Sequence, residues 1–327
     1  MKYSLLDVAW VAADETPADA LRGAVPLAQA AEQSGYQRVW YAEHHNMPQI
    51  ASAATSVLIA HVAAHTERIR VGAGGVMLPN HAPLVIAEQF GTLAALHPGR
   101  IDLGLGRAAG ADQPTARALR VTAASAESFP QDVLDLQGFL RGEPPIPGVR
   151  AIPGDGTNVP LYILGSSLFG ARLAATLGVP YAFAAHFAPA ALDAAAETYR
   201  STYRPSPQHP EPYLIITANL IAAGSEEEAR RQHRASQRRR ARMMLARGRD
   251  LTDAEIDAVL DSPAGQQLKA MSVHTAVGTP SQVHAQLAEL AARTQADEVM
   301  LAPAADDRPD RIRAVQLVSA PTPLGVV

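Results

Sequence analysis

Cysteine is absent from this sequence of 327 residues, and aromatic residues make up only 5% of it. Disulfide bonds, thiolate metal sites and cysteine nucleophiles are therefore excluded. The sequence also lacks any apolar run near the ~20 residues that a membrane-spanning helix needs, and its first residues read as a strand, not as a signal peptide. Hydrophobic residues make up 47%, so a substantial core can be buried. We expect a cytoplasmic protein with no membrane partner.

A strong excess of one charge is also lacking: the formal net charge is -4 at pH 7, with a pI near 6.3. This balance argues against a general nucleic-acid binder, which needs a basic surface to meet phosphates. One basic run lies between Arg230 and Arg249, directly after three glutamates at 226–228. Acids in the first turn and bases further on are typical of a solvated helix. No aromatic residues that could stack on bases are interleaved, so we expect an exposed helix and no nucleic-acid partner.

Short apolar strands alternate with helices along the chain. This alternation predicts a mainly parallel sheet with helices outside it. Eight strand–helix units in a chain of this length favour a closed (β/α)8 TIM barrel over an open sheet. No linker divides the chain, so we expect one domain over residues 1–327, with extra length at 142–160 and a helical insertion at about 225–275. The predicted strands are 3–8, 38–41, 68–74, 101–105, 161–164, 181–184, 213–222 and 298–301.

Polar residues and glycines follow several of these strands, and in a TIM barrel such residues share one rim and carry the chemistry. Glycine has no side chain to block an approaching molecule. We therefore interpret the strand that ends in Gly74 and Gly75, and the next strand, which ends in Gly104-Leu-Gly106-Arg107, as the floor of a cofactor site. The rim candidates are Asp7, 43–46, Gly74, Gly75, Asn80, His81, Gly106, Arg107, 165–167 and His186.

The glycine-rich run at 104–110 resembles a dinucleotide fingerprint, but its GxGxxxG spacing and the lack of a helix opening at it disfavour a nicotinamide site. A phosphate site is the better interpretation. Arg107 would supply a fork of donors. Gly165, Ser166 and Ser167 would supply N–H groups and hydroxyls at a helix start, where the dipole favours an anion. The alternative is that Arg107 pairs with a carboxylate of the rim and Ser166 only caps a helix.

Two adjacent histidines, His44 and His45, follow the second strand and are candidates for metal ligands, a general acid–base pair or packing. Adjacent residues that leave a strand point in opposite directions, so we expect one of them to face a bound molecule. Glu43 is available to orient a ring or raise a pKa. His61 and His65 have the helical spacing of a metal pair, but they lack an intervening glutamate and lie on an outer helix. We predict no metal site.

Several motifs occur together in a fixed order. They are Glu43-His44-His45, Gly72 to Pro83, Ala87-Glu88-Gln89, Pro98 to Ile101, Gly104 to Arg107 and Val277 to Pro280. In this combination the sequence from Tyr3 to about Val318 resembles the bacterial luciferase-like flavin monooxygenases, in the single-chain branch of luciferase-like oxidoreductases. Luciferase has a reactive cysteine just before the arginine, where this chain has Gly106, so light emission is not implied.

The resemblance implies a TIM barrel with insertions and a cofactor, FMN, used in its reduced form. It implies that Arg107 and the turn at 165–167 hold the FMN phosphate and that the isoalloxazine ring lies over Gly74 and Gly75. Members of the family often have a non-proline cis peptide at this glycine pair. The resemblance also implies that His44 is the active-site histidine near the flavin.

Three hypotheses follow for the function. A two-component monooxygenase would use reduced FMN and O2 on a small organic substrate, and the lack of a nicotinamide fingerprint indicates that a separate flavin reductase supplies the reduced cofactor. A deazaflavin-dependent hydride-transfer oxidoreductase and a non-catalytic flavin-binding protein are the alternatives. The substrate-pocket candidates are His45, Asn80 and His81, and no motif identifies the substrate. The alanine-rich helices at 52–65 and 83–96 need a cover, which a homodimer would supply, consistent with the family.

Overall fold

The computed structural model describes residues 1–108, 112–246, 249 and 251–319. Gly110 of the glycine-rich run and Arg247 of the basic run therefore lie outside the described residues. Nine strands occur in the described part of the chain. They are β1 (Lys2–Asp7), β2 (Arg38–Tyr41), β3 (Arg70–Met77), β4 (Ile101–Gly106), β5 (Leu161–Gly165), β6 (Tyr181–Phe183), β7 (Leu214–Ala222), β8 (Thr275–Gly278) and β9 (Glu298–Pro303).

Eight of these strands form a closed parallel barrel. Their order is β1–β2–β3–β4–β5–β6–β7–β9, and β9 closes the ring by pairing with β1. This arrangement confirms the predicted (β/α)8 TIM barrel. The ninth strand, β8, lies outside the ring and pairs with the last residues of β7, from Asn219 to Ala222. It is not among the predicted strands, because Thr275–Gly278 has no clear apolar run and its pairing with β7 is not visible in the sequence.

Helices cover the outside of the barrel and fill the segment between β7 and β9. They are α1 (Pro17–Gln33), α2 (Thr55–Ala63), α3 (Pro83–Leu96), α4 (Gln113–Ala118), α5 (Ala123–Glu127), α6 (Phe129–Arg141), α7 (Leu168–Leu177), α8 (Leu192–Ser201), α9 (Glu226–Leu245), α10 (Asp253–Asp261), α11 (Pro263–Ala270), α12 (Pro280–Thr294) and α13 (Arg308–Leu317). In the described part of the chain, none of them combines the length and apolar character needed to cross a bilayer.

Local sequence explains several helix ends. Thr16 caps α1 through reciprocal hydrogen bonds with Asp19, and Pro17 occupies the first turn, as the sequence predicts. The single helix predicted at 125–141 is two helices, α5 and α6. The break comes at Ser128, because Pro130 has no N–H group to continue the hydrogen-bond pattern of α5.

The described residues form four hydrophobic clusters, and the two largest of them build the barrel. The larger of these two lies between the strands and the surrounding helices, where residues such as Ile59 and Phe90 are fully buried. The smaller one fills the inside of the barrel and supports the site from below. Its buried members are Leu6, Trp40, Ala42, Tyr162, Ala182, Ile215 and Met300.

A buried ion network closes the end of the barrel where the strands begin. Arg38 Nη1 lies 2.7 Å from Asp102 Oδ2, and Arg38 Nε lies 2.9 Å from Glu298 Oε1. Arg70 also pairs with Asp102, at 2.5 Å, and the Tyr213 hydroxyl donates to Glu298 Oε2 at 2.7 Å. Both carboxylates are completely buried. Side chains of the described residues therefore fill this end of the barrel.

Candidate active site

A cavity of about 260 Å³ opens at the end of the barrel where the strands stop. Its wall consists mainly of residues at or just beyond the ends of β1 to β6, with Phe129 of α6 and Phe169 of α7. TIM-barrel enzymes carry their chemistry at this rim. The structure brings together in this wall the candidates His44, Gly74, Gly75, Arg107, Gly165, Ser166 and Ser167.

Glycines form the part of the wall where β3 meets β4. The strand continues past Gly74 and Gly75, so the predicted strand end at Gly74 is too early. The peptide bond between Gly74 and Gly75 is cis, and the pairing with β4 shifts register at this point. A Cβ atom on Gly75 would lie 2.7 Å from the Gly104 carbonyl oxygen, and one on Gly104 would overlap the carbonyl of Ala73. Only glycine permits this approach, and it leaves bare backbone facing the cavity.

Arg107 lies at one end of the cavity, beside the start of α7. Its guanidinium lies 4.0 Å from the centroid of the Phe169 ring, and it forms no ion pair with any described residue. Ser167 is the N-cap of α7 but makes no side-chain capping bond, and the Ser166 hydroxyl also has no partner among the described residues. A free guanidinium, free hydroxyls and a helix N-terminus together are typical of an anion site. Within the described part of the chain, Arg107 thus forms no carboxylate pair and Ser166 forms no helix cap, as the alternative would require.

His44 follows β2 and lines the same cavity. Its Nδ1 atom is buried and forms no hydrogen bond of good geometry with a described residue. Burial lowers the pKa of His44, and the opposing effects of the Ala42 backbone and the Glu43 carboxylate do not cancel it. The imidazole is therefore neutral at pH 7 and able to accept a proton.

His186 follows β6 and is a second histidine in the cavity wall. Burial, and then the positive charge of Arg240 and the neighbouring His44, lower the pKa of His186 to about 3. The ring therefore stays neutral throughout the physiological range. Its position agrees with the prediction that His186 lies on the rim. The sequence contains no signal for a specific role of this residue.

The other candidates, His45, Asn80 and His81, converge on Glu43 and are not among the residues that line the cavity. Glu43 is buried and accepts hydrogen bonds from His45 Nε2 at 2.8 Å, Asn80 Nδ2 at 2.9 Å, His81 Nε2 at 3.0 Å and the Met77 N–H at 2.9 Å. Burial alone would raise the pKa of Glu43, but hydrogen bonds from the side chains outweigh it and lower this pKa. The ionised Glu43 thus ties the loop that carries His44 to the end of β3.

A second cavity, of about 280 Å³, adjoins the first one. Val8, His44 and His186 line both, so they stand where the two cavities meet. Helix α9 forms the outer wall. The sequence does not reveal this, because the charge pattern of α9 is typical of a solvated helix. The helical spacing of the lining residues is the signal that could have revealed an inner face. These residues of α9 are His233, Ser236, Gln237, Arg239, Arg240, Met243 and Met244.

Comparison with known proteins places the chain in a family. A model described as luciferase-like monooxygenase matches residues 1–298. The luciferase-like monooxygenase of Escherichia coli (strain K12) is 44% identical over 323 residues, which cover 96% of this chain and 95% of that protein. The N-acetyl-S-alkylcysteine monooxygenase of Bacillus subtilis (strain 168) is 40% identical over 189 residues, covering 56% and 57%. The crystal structure of apo-MsnO8 matches at 34% identity with a TM-score of 0.88, over 97% of both chains. The chain belongs to the luciferase-like monooxygenase family, and the predicted membership is confirmed.

More distant structures share the fold. The oxygenating constituent of 3,6-diketocamphane monooxygenase from Pseudomonas putida, solved in complex with FMN, matches with a TM-score of 0.73 at 19% identity, over 98% of this chain and 96% of that one. A secondary alcohol dehydrogenase that depends on coenzyme F420 matches with a TM-score of 0.72 at 15% identity, over 97% of both chains. The same barrel thus serves proteins with two different cofactors.

Proposed function

We propose that this enzyme is the oxygenase of a two-component system, which uses reduced FMN and O2 to oxidise a small organic substrate. The observation that carries this proposal is the first cavity, which combines a bare backbone wall with an unpaired anion site at one end. This combination fits a flat ring system joined to a phosphate. Family membership supports the monooxygenase class, and a hydride-transfer enzyme with a deazaflavin such as F420 is the alternative, since the fold accommodates both cofactors.

Each part of the cavity has a defined task in this proposal. Arg107, with Ser166, Ser167 and the start of α7, would hold the FMN phosphate, and the wall at Gly74 and Gly75 would face the ring. Bound reduced FMN supplies the two electrons that activate O2 for transfer of one oxygen atom to the substrate. The apolar residues of the barrel interior below the cavity exclude water from this reaction.

His44 would move the proton that the reaction requires. The neutral imidazole can accept a proton and return it, since its lowered pKa leaves it unprotonated at pH 7. The hydrogen bonds around Glu43 hold the neighbouring residues of the loop in place, so that the ring is presented to the cavity. His186 stays neutral and forms part of the boundary with the second cavity.

The partners of the enzyme are also proposals. No nicotinamide fingerprint occurs in the sequence, which supports supply of reduced FMN by a separate flavin reductase. Apolar side chains on α2 and α3 are exposed, with Val57 at 69% and Leu96 at 65%, and a homodimer through these helices would cover them. A light-scattering mass equal to one chain at micromolar concentration would contradict the dimer.

The cofactor proposal is tested by titrating the protein with FMN, riboflavin and coenzyme F420. We expect FMN to bind more tightly than riboflavin, because a charge-assisted phosphate contact contributes about 1.5–3 kcal/mol. The substitution Arg107→Gln should remove about 10–100-fold of FMN affinity and leave riboflavin affinity unchanged. Arg68→Gln, at an exposed arginine away from the cavity, is the control. Tighter binding of F420 than of FMN would favour the hydride-transfer alternative.

The reaction itself is tested with ¹⁸O2 and FMN reduced by an added reductase. One ¹⁸O atom should appear in an oxidised organic product when a substrate is present. Oxidation of the reduced flavin at the rate seen without protein, together with tight FMN binding, would instead indicate a non-catalytic flavin-binding protein.

A further inference from the structure

The arginines of α9 differ in one respect that the sequence does not reveal. Apart from Arg240, each of them forms an ion pair with an acidic residue. The partners are Glu226 for Arg230, Glu227 for Arg231, Asp257 for Arg234 and Arg238, Asp306 for Arg239 and Asp253 for Arg242. The expected solvated helix with ion pairs at four-residue spacing is therefore correct for Arg230 and Arg231. The other paired arginines reach acidic residues outside α9, and Arg240 is the one arginine of α9 without an ion pair to a described residue.

Arg240 faces the second cavity and has no ion pair or hydrogen bond with any described residue. It is half-buried, and burial lowers its pKa. Its positive charge is close enough to His186 to contribute to the lowered pKa of that ring. A half-buried guanidinium without a counter-charge is unfavourable when no ligand is bound. Ion pairs explain the positions of the neighbouring arginines, but they do not explain the position of Arg240.

The other groups around this cavity do not neutralise Arg240. No Asp or Glu is among the described residues that line it. Arg239 is already paired with Asp306, and its guanidinium lies 4.6 Å from the centroid of the Trp10 ring. Burial lowers the pKa of the lining histidines His44, His186 and His233, so they add no charge at pH 7. Among the described residues that line the cavity, Arg240 therefore carries the one unmatched positive charge.

We propose that the second cavity binds the organic substrate by a single carboxylate group, which pairs with Arg240. This inference rests on the proposed function, since it places the substrate beside His44 at the boundary with the cofactor cavity. One unmatched charge fits a monoanion, whereas a phosphate dianion would leave a negative charge uncompensated. The guanidinium fork matches the two oxygens of a carboxylate.

The remaining wall indicates the character of the rest of the substrate. Val8, Met47, Ile50, Met243 and Met244 are apolar, and methionine adapts to irregular shapes, whereas Asn219, Ser236, Gln237, Ser272 and Thr275 are polar. The apolar residues can cover an alkyl chain, so the substrate class is a small carboxylic acid whose chain is at least partly apolar. Its carboxylate would lie at α9 and its oxidisable atom would lie toward His44.

The test compares hexanoate with hexanamide, which have nearly the same shape but differ in charge, by calorimetry on the FMN-loaded protein. FMN fills the anion site at Arg107, so that hexanoate cannot bind there. We expect the wild-type protein to bind hexanoate about tenfold or more tightly than hexanamide. Arg240→Gln and Arg240→Met should both abolish this preference, and Arg231→Gln, at an exposed arginine of the same helix, should retain it. Arg240→Lys should retain part of it, since the charge remains but the fork is lost.

Equal binding of the two compounds by the wild-type protein, or a preference for hexanoate that survives in Arg240→Gln and Arg240→Met, would overturn the proposal. Failure of the proposed function has a different signature. In that case FMN does not bind, and the same titrations on the FMN-free protein still show whether a preference for hexanoate depends on Arg240.

Discussion

Arg38→Met removes the central cation of the ion network that closes the barrel. Glu298 would then keep hydrogen bonds from the Ser4 and Tyr213 hydroxyls but no cation among the described residues. Asp102 is affected less, because it retains its ion pair with Arg70. The substitution therefore leaves one fully buried carboxylate without a counter-charge.

The magnitude follows from this single uncompensated charge. Removing one partner of a buried ion pair costs about 3–5 kcal/mol. With an unfolding entropy of about 2.1 cal/mol/K per residue over 327 residues, this cost lowers the Tm by about 4–7 °C. Thermal unfolding followed by circular dichroism and calorimetry measures the shift directly.

A double variant separates lost charge compensation from lost packing. Arg38→Met/Glu298→Gln removes the stranded carboxylate, so it should unfold at a higher temperature than Arg38→Met alone. Arg22→Met, at an exposed ion pair, controls for the loss of a surface arginine and should change stability by less than about 1 kcal/mol. The reasoning is refuted if Arg38→Met costs no more than this control, or if the double variant is less stable than the single one.

Two further substitutions test the loop that carries Glu43 and His44. His44→Gln should lower turnover in the oxygen assay by about 10²–10⁴-fold without changing FMN affinity, and equal turnover would remove His44 from the mechanism. Glu43→Gln should cost about 1–3 kcal/mol of unfolding free energy at pH 7, because a donor then faces donors. The lowered pKa of Glu43 means that its carboxylate stabilises the fold above its unfolded pKa, near 4.5, and that this contribution is lost as the pH falls through the folded value. The difference between wild type and variant, measured by urea unfolding, should therefore shrink below pH 4.5; a constant difference would contradict this.

The fold was predictable wherever local sequence determines an element. The bounds predicted for β2 and α3 agree with the structure, because both have clear apolar runs and α3 begins at a proline. The length of β3 was not predictable, since its continuation past the glycines depends on pairing with β4. For the same reason β8, whose partner is β7, was missed. The six-residue helix α4 was also missed, whereas α11 lies within the helical insertion predicted at about 225–275.

The residues of the site also fall into two groups: those that local sequence predicts and those that depend on long-range packing. The first cavity was predictable because its residues follow strands, and the barrel brings strand ends together whatever the sequence between them. His45 and His81 show what the sequence could not predict. Their positions after strands predicted that they lie near the site, but only the fold shows that they contact Glu43. The second cavity depends on which face of α9 turns inward, and long-range packing decides that.

The two cavities also differ in which part of the chain builds them. The wall proposed for the cofactor comes mainly from the ends of β1 to β6, whereas the outer wall of the second cavity comes from α9, in a segment between β7 and β9. Mutation can therefore alter α9 while the strand ends stay unchanged. With the substrate and the cofactor bound as proposed, the enzyme could evolve toward new substrates through changes in one inserted helix, while selection preserves the strand ends that hold the cofactor.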